Sequence, residues 1–321
     1  MMERKMVRIG ILGAADIAYN KFIPALSQVD GAECAGVASC SKKKLERFVE
    51  KYNLHVYSSY DEVLNDESVD CVYIPLPPAF HYEWAKKALL AGKHVFLEKP
   101  STTSLKYTEE LVKLADERGL VIQENYMFQY HDQLRKLKEF IADGRIGQLR
   151  LVRTSFGFPR RPEGDFRYNK DLGGGTMMDN GGYTIKLITE LLGDSTRYLS
   201  SRLDYDEEAG VDIFGTAEFT NDAGVIAQAA FGMDCQYQCS LELWGSRGRI
   251  TTGRIYTAPA GYVPTAVIET GSESVTVELP GDDHFVKSIS MFLKALEDEN
   301  IRKNMAAALV RQSAFVEEVR K

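Results

Sequence analysis

The chain has 321 residues, 39 of them basic and 46 acidic, for a formal net charge of −7. That acidic balance, with no like-charge block longer than Lys42-Lys43-Lys44, argues against a nucleic-acid-binding surface, and no apolar run approaches the ~20 residues that span a bilayer. At roughly 150 residues per domain, the length predicts two domains.

The five cysteines, at positions 34, 40, 71, 235 and 239, form no Cys-x-x-Cys pair and no Cys/His ligand spacing. Neither a disulfide framework nor a metal is expected, and the setting reads as a reducing cytoplasm. A strand begins within a few residues of Met1, so no signal peptide is expected. Cys235 and Cys239 are expected to share one strand face as ordinary packing.

The first third alternates two patterns. Apolar runs of strand length cover Val7–Leu12, Ala32–Ser39, Asp70–Pro75, His94–Leu97 and Leu120–Gln123. Helical periodicity covers Asn20–Val29, Lys43–Tyr52, Tyr60–Asn65, His81–Ala91 and Ser104–Arg118. Helices between short apolar strands predict βαβ units and a parallel sheet, with ligands at the carboxyl ends of its strands.

After about Tyr126 the pattern changes. A helix over His131–Asp143 leads to a strand near Leu149–Gly157, a loop rich in Arg, Pro and Gly, and a helix over Met177–Leu192. Strands are then predicted at Tyr198–Tyr205, Asp212–Phe219, Val225–Met233, Cys239–Gly245, Arg249–Thr252, Val267–Glu269 and Ser274–Leu279, with a hairpin turn at Asn221-Asp222-Ala223-Gly224. Helices over Phe285–Glu297 and Arg302–Val319 close the chain. The expected architecture is α/β: a dinucleotide-binding Rossmann domain over 1–125, then an α+β domain with a mostly antiparallel open sheet over 126–321.

The turn after the first strand carries Gly13, Ala15 and Ala18 where a dinucleotide fingerprint wants small residues. These allow the tight turn, the approach of backbone to pyrophosphate and close helix packing. An NAD site usually places an acid about 20 residues further on, against the ribose 2′-hydroxyl. Here the second strand ends Ala38-Ser39-Cys40-Ser41-Lys42-Lys43, two hydroxyls and two ammonium groups with no acid. That set suits a 2′-phosphate, so NADP(H) is expected over NAD(H). Alternatively, Lys42 and Lys43 simply open a solvated helix.

Glu98-Lys99-Pro100 closes a strand at the ligand edge of the sheet. A lysine there can hydrogen-bond a substrate oxygen and lower the pKa of a neighbouring donor, and the proline keeps Lys99 out of a helical conformation. Downstream, Gly173-Gly174-Gly175 leads a helix bearing Asp179 and Tyr183 four residues apart. Ketone reduction needs a hydride and a proton. Tyr183 is the expected proton donor, assisted by Lys99, and Asp179 would orient the substrate or the lysine. Without a ligand the same segment would be a glycine-led helix with a core tyrosine and a solvated aspartate.

These residues resemble, along essentially the whole chain, the glucose–fructose oxidoreductase and inositol dehydrogenase (Gfo/Idh/MocA) family. The Glu-Lys-Pro triplet, Pro77 to His81, and the segment from Gly173 to Tyr183 carry the resemblance. Tyr183 stands where many members have histidine. With Ala15-Asp16-Ile17-Ala18, Glu124-Asn125-Tyr126-Met127-Phe128 and Gly164-Asp165-Phe166-Arg167-Tyr168, it looks most like the sugar-nucleotide 3-ketoreductases, which use NADPH. Ala14 and Gln129-Tyr130-His131 depart from that subset and leave the sugar open. The resemblance implies cofactor contacts from Gly13, Ala15, Asp16, Ile17, Ser39, Ser41, Lys42, Pro75, Leu76, His81, Glu98, Lys99 and Asn125. It implies substrate contacts from Tyr126, His131, Arg160, Arg167 and Tyr183. Arg160, Arg161 and Arg167 offer forked donors that match a diphosphate. Competing readings are a dehydrogenase of a free aldose, polyol or trans-dihydrodiol, and a non-catalytic nucleotide-binding regulator. The antiparallel sheet shows no pattern for helical cover on its second face, so a homo-oligomer through it is expected.

Overall fold

The computed structural model describes residues 6–321. They form two compact units: residues up to Asn125 with Phe285–Ser313, and Tyr126–His284 with Ala314–Lys321. The segment Phe285–Ser313, expected in the second domain, belongs to the first unit.

In the first unit six strands, β1 (Val7–Leu12), β2 (Ala32–Ala38), β3 (Val56–Tyr57), β4 (Cys71–Ile74), β5 (His94–Leu97) and β6 (Ile122–Glu124), lie in the order β3-β2-β1-β4-β5-β6. Every pairing is parallel. A parallel sheet is covered on both faces, which is why β4 is buried at every position and reads as a continuous apolar run. The connecting helices include Lys42–Tyr52, Tyr60–Asn65, His81–Leu90 and Leu105–Glu117. Ser59 caps one by accepting from the Glu62 N–H while Glu62 accepts from the Ser58 N–H, a reciprocal arrangement that satisfies two donors at the helix start. The core contains Phe22 stacked on Tyr73 with centroids 3.8 Å apart, and Phe96 edge-on to Phe292.

Three local expectations shift. The first helix opens with a π turn over Ala18–Phe22 before its α segment Ile23–Leu26. β6 begins at Ile122 because the Leu120 N–H still bonds back to the Ala115 carbonyl at 2.8 Å. β3 has two residues, too few for any periodicity to register.

The second unit holds β7 (Leu149–Gly157), β8 (Arg197–Asp206), β9 (Val211–Thr220), β10 (Ile226–Gly232), β11 (Gln238–Gly245), β12 (Gly248–Gly253), β13 (Thr265–Thr270) and β14 (Glu273–Glu278), in the order β14-β13-β12-β11-β7-β10-β9-β8. β7 and β10 are parallel, and the other neighbours antiparallel. Alternation assigns the faces. Val152, Thr154, Phe156, Ala227, Ala229 and Phe231 are buried on the side where the helix Gly182–Leu192 packs, while Arg153, Trp244 and Ile226 are exposed on the other. The hairpin at Asn221–Gly224 forms, with the Gly224 N–H donating to the Asn221 carbonyl at 2.9 Å. Cys235 precedes β11 in a loop and bonds backbone to Phe158, so it does not share a strand face with Cys239.

Candidate active site

In the first unit the carboxyl ends of β1, β2, β4, β5 and β6 carry Gly13, Ser39, Pro75, Glu98-Lys99 and Asn125. The strand order reverses direction between β1 and β4, where open α/β sheets form their ligand crevice. Gly13 has φ +123, and a Cβ there would lie 2.9 Å from Leu76 Cδ2 and 3.6 Å from the Pro75 carbonyl. The turn therefore needs glycine both for its left-handed backbone and for the nearness of Leu76. Ala15 and Ile17 are half-buried beside it and Asp16 is exposed. Arg47, which the sequence did not signal, braces this turn: Nη1 lies 2.6 Å from Asp16 Oδ1, Nη2 donates to the Ala14 carbonyl at 3.3 Å, and the guanidinium covers the Tyr19 ring at 4.6 Å. At the end of β2, Ser39 Oγ accepts the Ser41 N–H at 3.1 Å, and Lys42 is exposed at the start of its helix.

Glu98 is buried at the end of β5. Its Oε1 accepts from the Tyr73 hydroxyl at 2.7 Å and from Asn125 Nδ2 at 2.8 Å, and Asn125 Oδ1 accepts from Ser288 Oγ at 2.8 Å. Burial raises the Glu98 pKa against those donors and the Lys99 charge. Glu98 and Asn125 thus join an internal network at the strand ends, and Lys99 beside them is half-buried. His81 has no exposed surface, with its ring nitrogens against the Leu76 and Pro100 carbonyls. Fully buried, it offers no surface for the direct cofactor contact expected.

In the second unit the expected helix over Met177–Leu192 opens as a π turn, Met177–Gly181, and continues as an α-helix from Gly182. The wider turn removes the regular α spacing between Asp179 and Tyr183. Asn180 fixes this opening. Its Nδ2 donates to the Phe156 carbonyl at 2.6 Å and the Gly232 carbonyl at 2.8 Å, joining the ends of the parallel pair β7 and β10. Asp212 Oδ2 accepts the Met177 N–H at 2.6 Å, and burial raises its pKa despite that bond. Sequence reasoning passed over both Asn180 and Asp212. Asn180 lies inside the segment from Gly173 to Tyr183, but nothing local signals Asp212.

Tyr183 is buried in an aromatic cluster. Tyr126 lies edge-on at 5.0 Å and Phe156 at 5.2 Å, with Phe128 and Tyr256 beyond, and its hydroxyl faces Met127 Sδ at 3.6 Å. Tyr126 and Tyr183, both expected at the substrate, do come together. Asp179 meets Arg167: Nε donates to Oδ2 at 2.6 Å, while Arg167 Nη1 also donates to Asp165 at 3.1 Å. Burial works against the guanidinium charge, but Asp179 and Asp165 outweigh it and hold its pKa above the ordinary value. Arg160 is likewise engaged, with Asp234 at 3.1 Å and Asp206 at 3.2 Å. In this structure two of the three arginines expected to grip a diphosphate, Arg160 and Arg167, are matched to carboxylates of their own unit. Arg161 lies over Phe158 at 4.9 Å. His131 caps the helix Asp132–Ala142, its Nδ1 accepting the Gln133 N–H at 3.1 Å. That nitrogen is committed to backbone rather than to a sugar. Among the described residues no helix is long and apolar enough to cross a membrane, and no group of three or more His, Cys, Asp or Glu is placed to hold a metal ion.

A family model for an oxidoreductase family with an NAD-binding Rossmann fold matches residues 7–126, and one for the GFO/IDH/MocA C-terminal domain matches 134–251. The chain belongs to the Gfo/Idh/MocA oxidoreductase family. Within it, a dTDP-3,4-didehydro-2,6-dideoxy-alpha-D-glucose 3-reductase of Actinomadura kijaniata is 37% identical over 314 residues, covering 98% of this chain and 95% of that one. An enzyme of the same name from Saccharopolyspora spinosa is 34% identical over 322 residues, covering 98% and 97%. The solved structure of a 3-ketoreductase from Actinomadura kijaniata, in complex with NADP and TDP-benzene, matches with a TM-score of 0.94 at 37% identity, covering 98% and 97% of the two chains. The Rossmann sheet and the second, mostly antiparallel sheet are the fold of this Gfo/Idh/MocA relative.

Proposed function

We propose that this chain is an NADPH-dependent ketoreductase acting on the C3 ketone of a nucleoside-diphosphate deoxysugar. Relatives named for that reaction match it over nearly the full length of both chains. The observation that carries the reading into this chain is its residue set: Lys99 at a strand end on the ligand edge, and Tyr183 on a helix held by Asn180 and Asp212.

The first unit fits the cofactor. The turn at Gly13 keeps clear the space a Cβ would fill, and Ser39, Ser41 and Lys42 offer hydroxyls and an ammonium to a 2′-phosphate. When bound, NADPH supplies the hydride. Tyr183 holds a proton at its hydroxyl for the developing alkoxide, and Lys99 favours its release through its positive charge. Tyr126, edge-on to Tyr183, fixes the phenol ring and shields it from water. Asp179 and Arg167, bound to each other, brace the loop and helix on which Tyr183 sits. The open sheet face is proposed to pair with a second copy of the chain.

Lys99→Ala and Tyr183→Phe are each expected to retain NADPH binding while turnover falls by at least about a hundredfold, the usual scale of lost acid–base assistance. Steady-state kinetics beside a cofactor titration checks this, and near-wild-type turnover in either variant would sink its assigned role.

A further inference from the structure

His81 begins the helix His81–Leu90 with no exposed surface, and the chemistry above leaves it unused. Nδ1 lies 2.7 Å from the Pro100 carbonyl oxygen and Nε2 lies 2.7 Å from the Leu76 carbonyl oxygen. One ring therefore lies between the turn after β4 and the turn after β5 that carries Lys99. Neither oxygen has a proton to give, so each contact is a hydrogen bond only when the facing nitrogen carries hydrogen. Burial drives the ring's pKa down to about 4; the Lys99 charge acts the same way and the carbonyls act against it. At neutral pH the ring then has one N–H to place. The far side of the Lys99 turn is already anchored, since the Ser101 N–H donates to Glu124 Oε1 at 2.7 Å. Pro100 has no N–H, so its carbonyl is the backbone group by which the residue after Lys99 can be held.

We propose that His81 is a positioning residue for Lys99, donating from Nδ1 to the Pro100 carbonyl and fixing the turn from which the lysine projects. The proposal rests on the reductase reading of Lys99. It separates the two carbonyls, because an asparagine amide can stand in for Nδ1 and a glutamine amide for Nε2. His81→Asn is expected to keep kcat within about fivefold of wild type, whereas His81→Gln and His81→Leu lose at least about tenfold, the order of cost for a misplaced catalytic group. NADPH binding is expected to survive in all three. In the Lys99→Ala background, His81→Leu is expected to change kcat little, because the group it positions is gone.

Equal losses in both backgrounds, or better retention by glutamine than by asparagine, overturn the proposal and leave the reductase reading standing. Wild-type turnover in Lys99→Ala overturns that reading, and this proposal with it. Should the variants not fold, nitrogen-detected NMR of the wild-type ring at neutral pH decides. Hydrogen on Nδ1 and a bare Nε2 is expected, and the reverse overturns the assignment.

Discussion

At the level of single residues, Arg167 and Asp179 illustrate how a charge placed near a site is spent on structure. Their side chains are 22% and 10% exposed and lie 2.6 Å apart, and Asp165 supplies a second acceptor. Removing Asp179 leaves a half-buried guanidinium with Asp165 as its remaining carboxylate partner. Asp179→Ala is expected to cost about 2–4 kcal/mol in denaturant unfolding, the lower end reflecting the acceptor that Asp165 still provides. Two histidines set a pH dependence. His94 Nδ1 accepts the Val121 N–H at 2.9 Å, and burial, helped by Arg302, brings its pKa from 6.5 to about 4; burial brings His81 to a similar value. The folded chain therefore binds fewer protons than the unfolded one between those values. Stability present above pH 6.5 falls away as pH drops toward 4, by at most about 3 kcal/mol per histidine. Unfolding curves across that range are expected to be flatter for His94→Gln. Gly13, Lys99 and Tyr183 are legible in the sequence because each stands at a fixed place relative to a strand or a glycine run. Partnerships such as Arg167 with Asp179, or Asp212 with the Met177 N–H, are not, since residues far apart in the chain make many of them.

At the scale of elements, the glycine run before Tyr183 depends on contact as much as on flexibility. Gly175 has φ +109, and a Cβ there would stand 2.2 Å from Asp212 Oδ1, the carboxylate that holds the helix start. Gly175→Ala is expected to destabilise the chain by about 2–4 kcal/mol and to lower turnover, because backbone strain and displacement of Asp212 act together. Thermal unfolding and kinetics of that variant check both effects, and wild-type behaviour in both would remove the glycine from the account. Most elements are readable in advance. Apolar runs mark the first sheet, and alternation marks β7 and β9 to β11, because one face of that sheet is buried and the other is not. The π turns at Ala18–Phe22 and Met177–Gly181 leave no such trace. Each is an adjustment of backbone bonding within a pattern that still reads as helix.

Across the whole molecule, the exposed side of the second sheet combines apolar side chains with a polar ladder. Trp244 is 53% exposed and Ile226 38%, beside Arg153, which donates to Gln228 and Glu242. A monomer seldom leaves such a patch uncovered, which supports the proposed pairing of two copies. Trp244→Arg combined with Arg153→Glu is expected to shift the chain to monomer in light scattering while leaving NADPH binding intact. A monomeric wild type would contradict the pairing. The inclusion of Phe285–Ser313 in the first unit shows where local reading stops. Its helical period is plain, but the choice of sheet is made by contacts such as Phe96 with Phe292 and Gln123 with Ser288, which no short window contains.

The central claim is that the substrate carries a nucleoside diphosphate. The most direct measurement is calorimetric titration of the NADPH-loaded protein with TDP and UDP, beside free glucose and xylose. The account predicts saturable binding of a nucleoside diphosphate and no heat from the free sugars. Binding of the free sugars alone would contradict it and point to an aldose dehydrogenase.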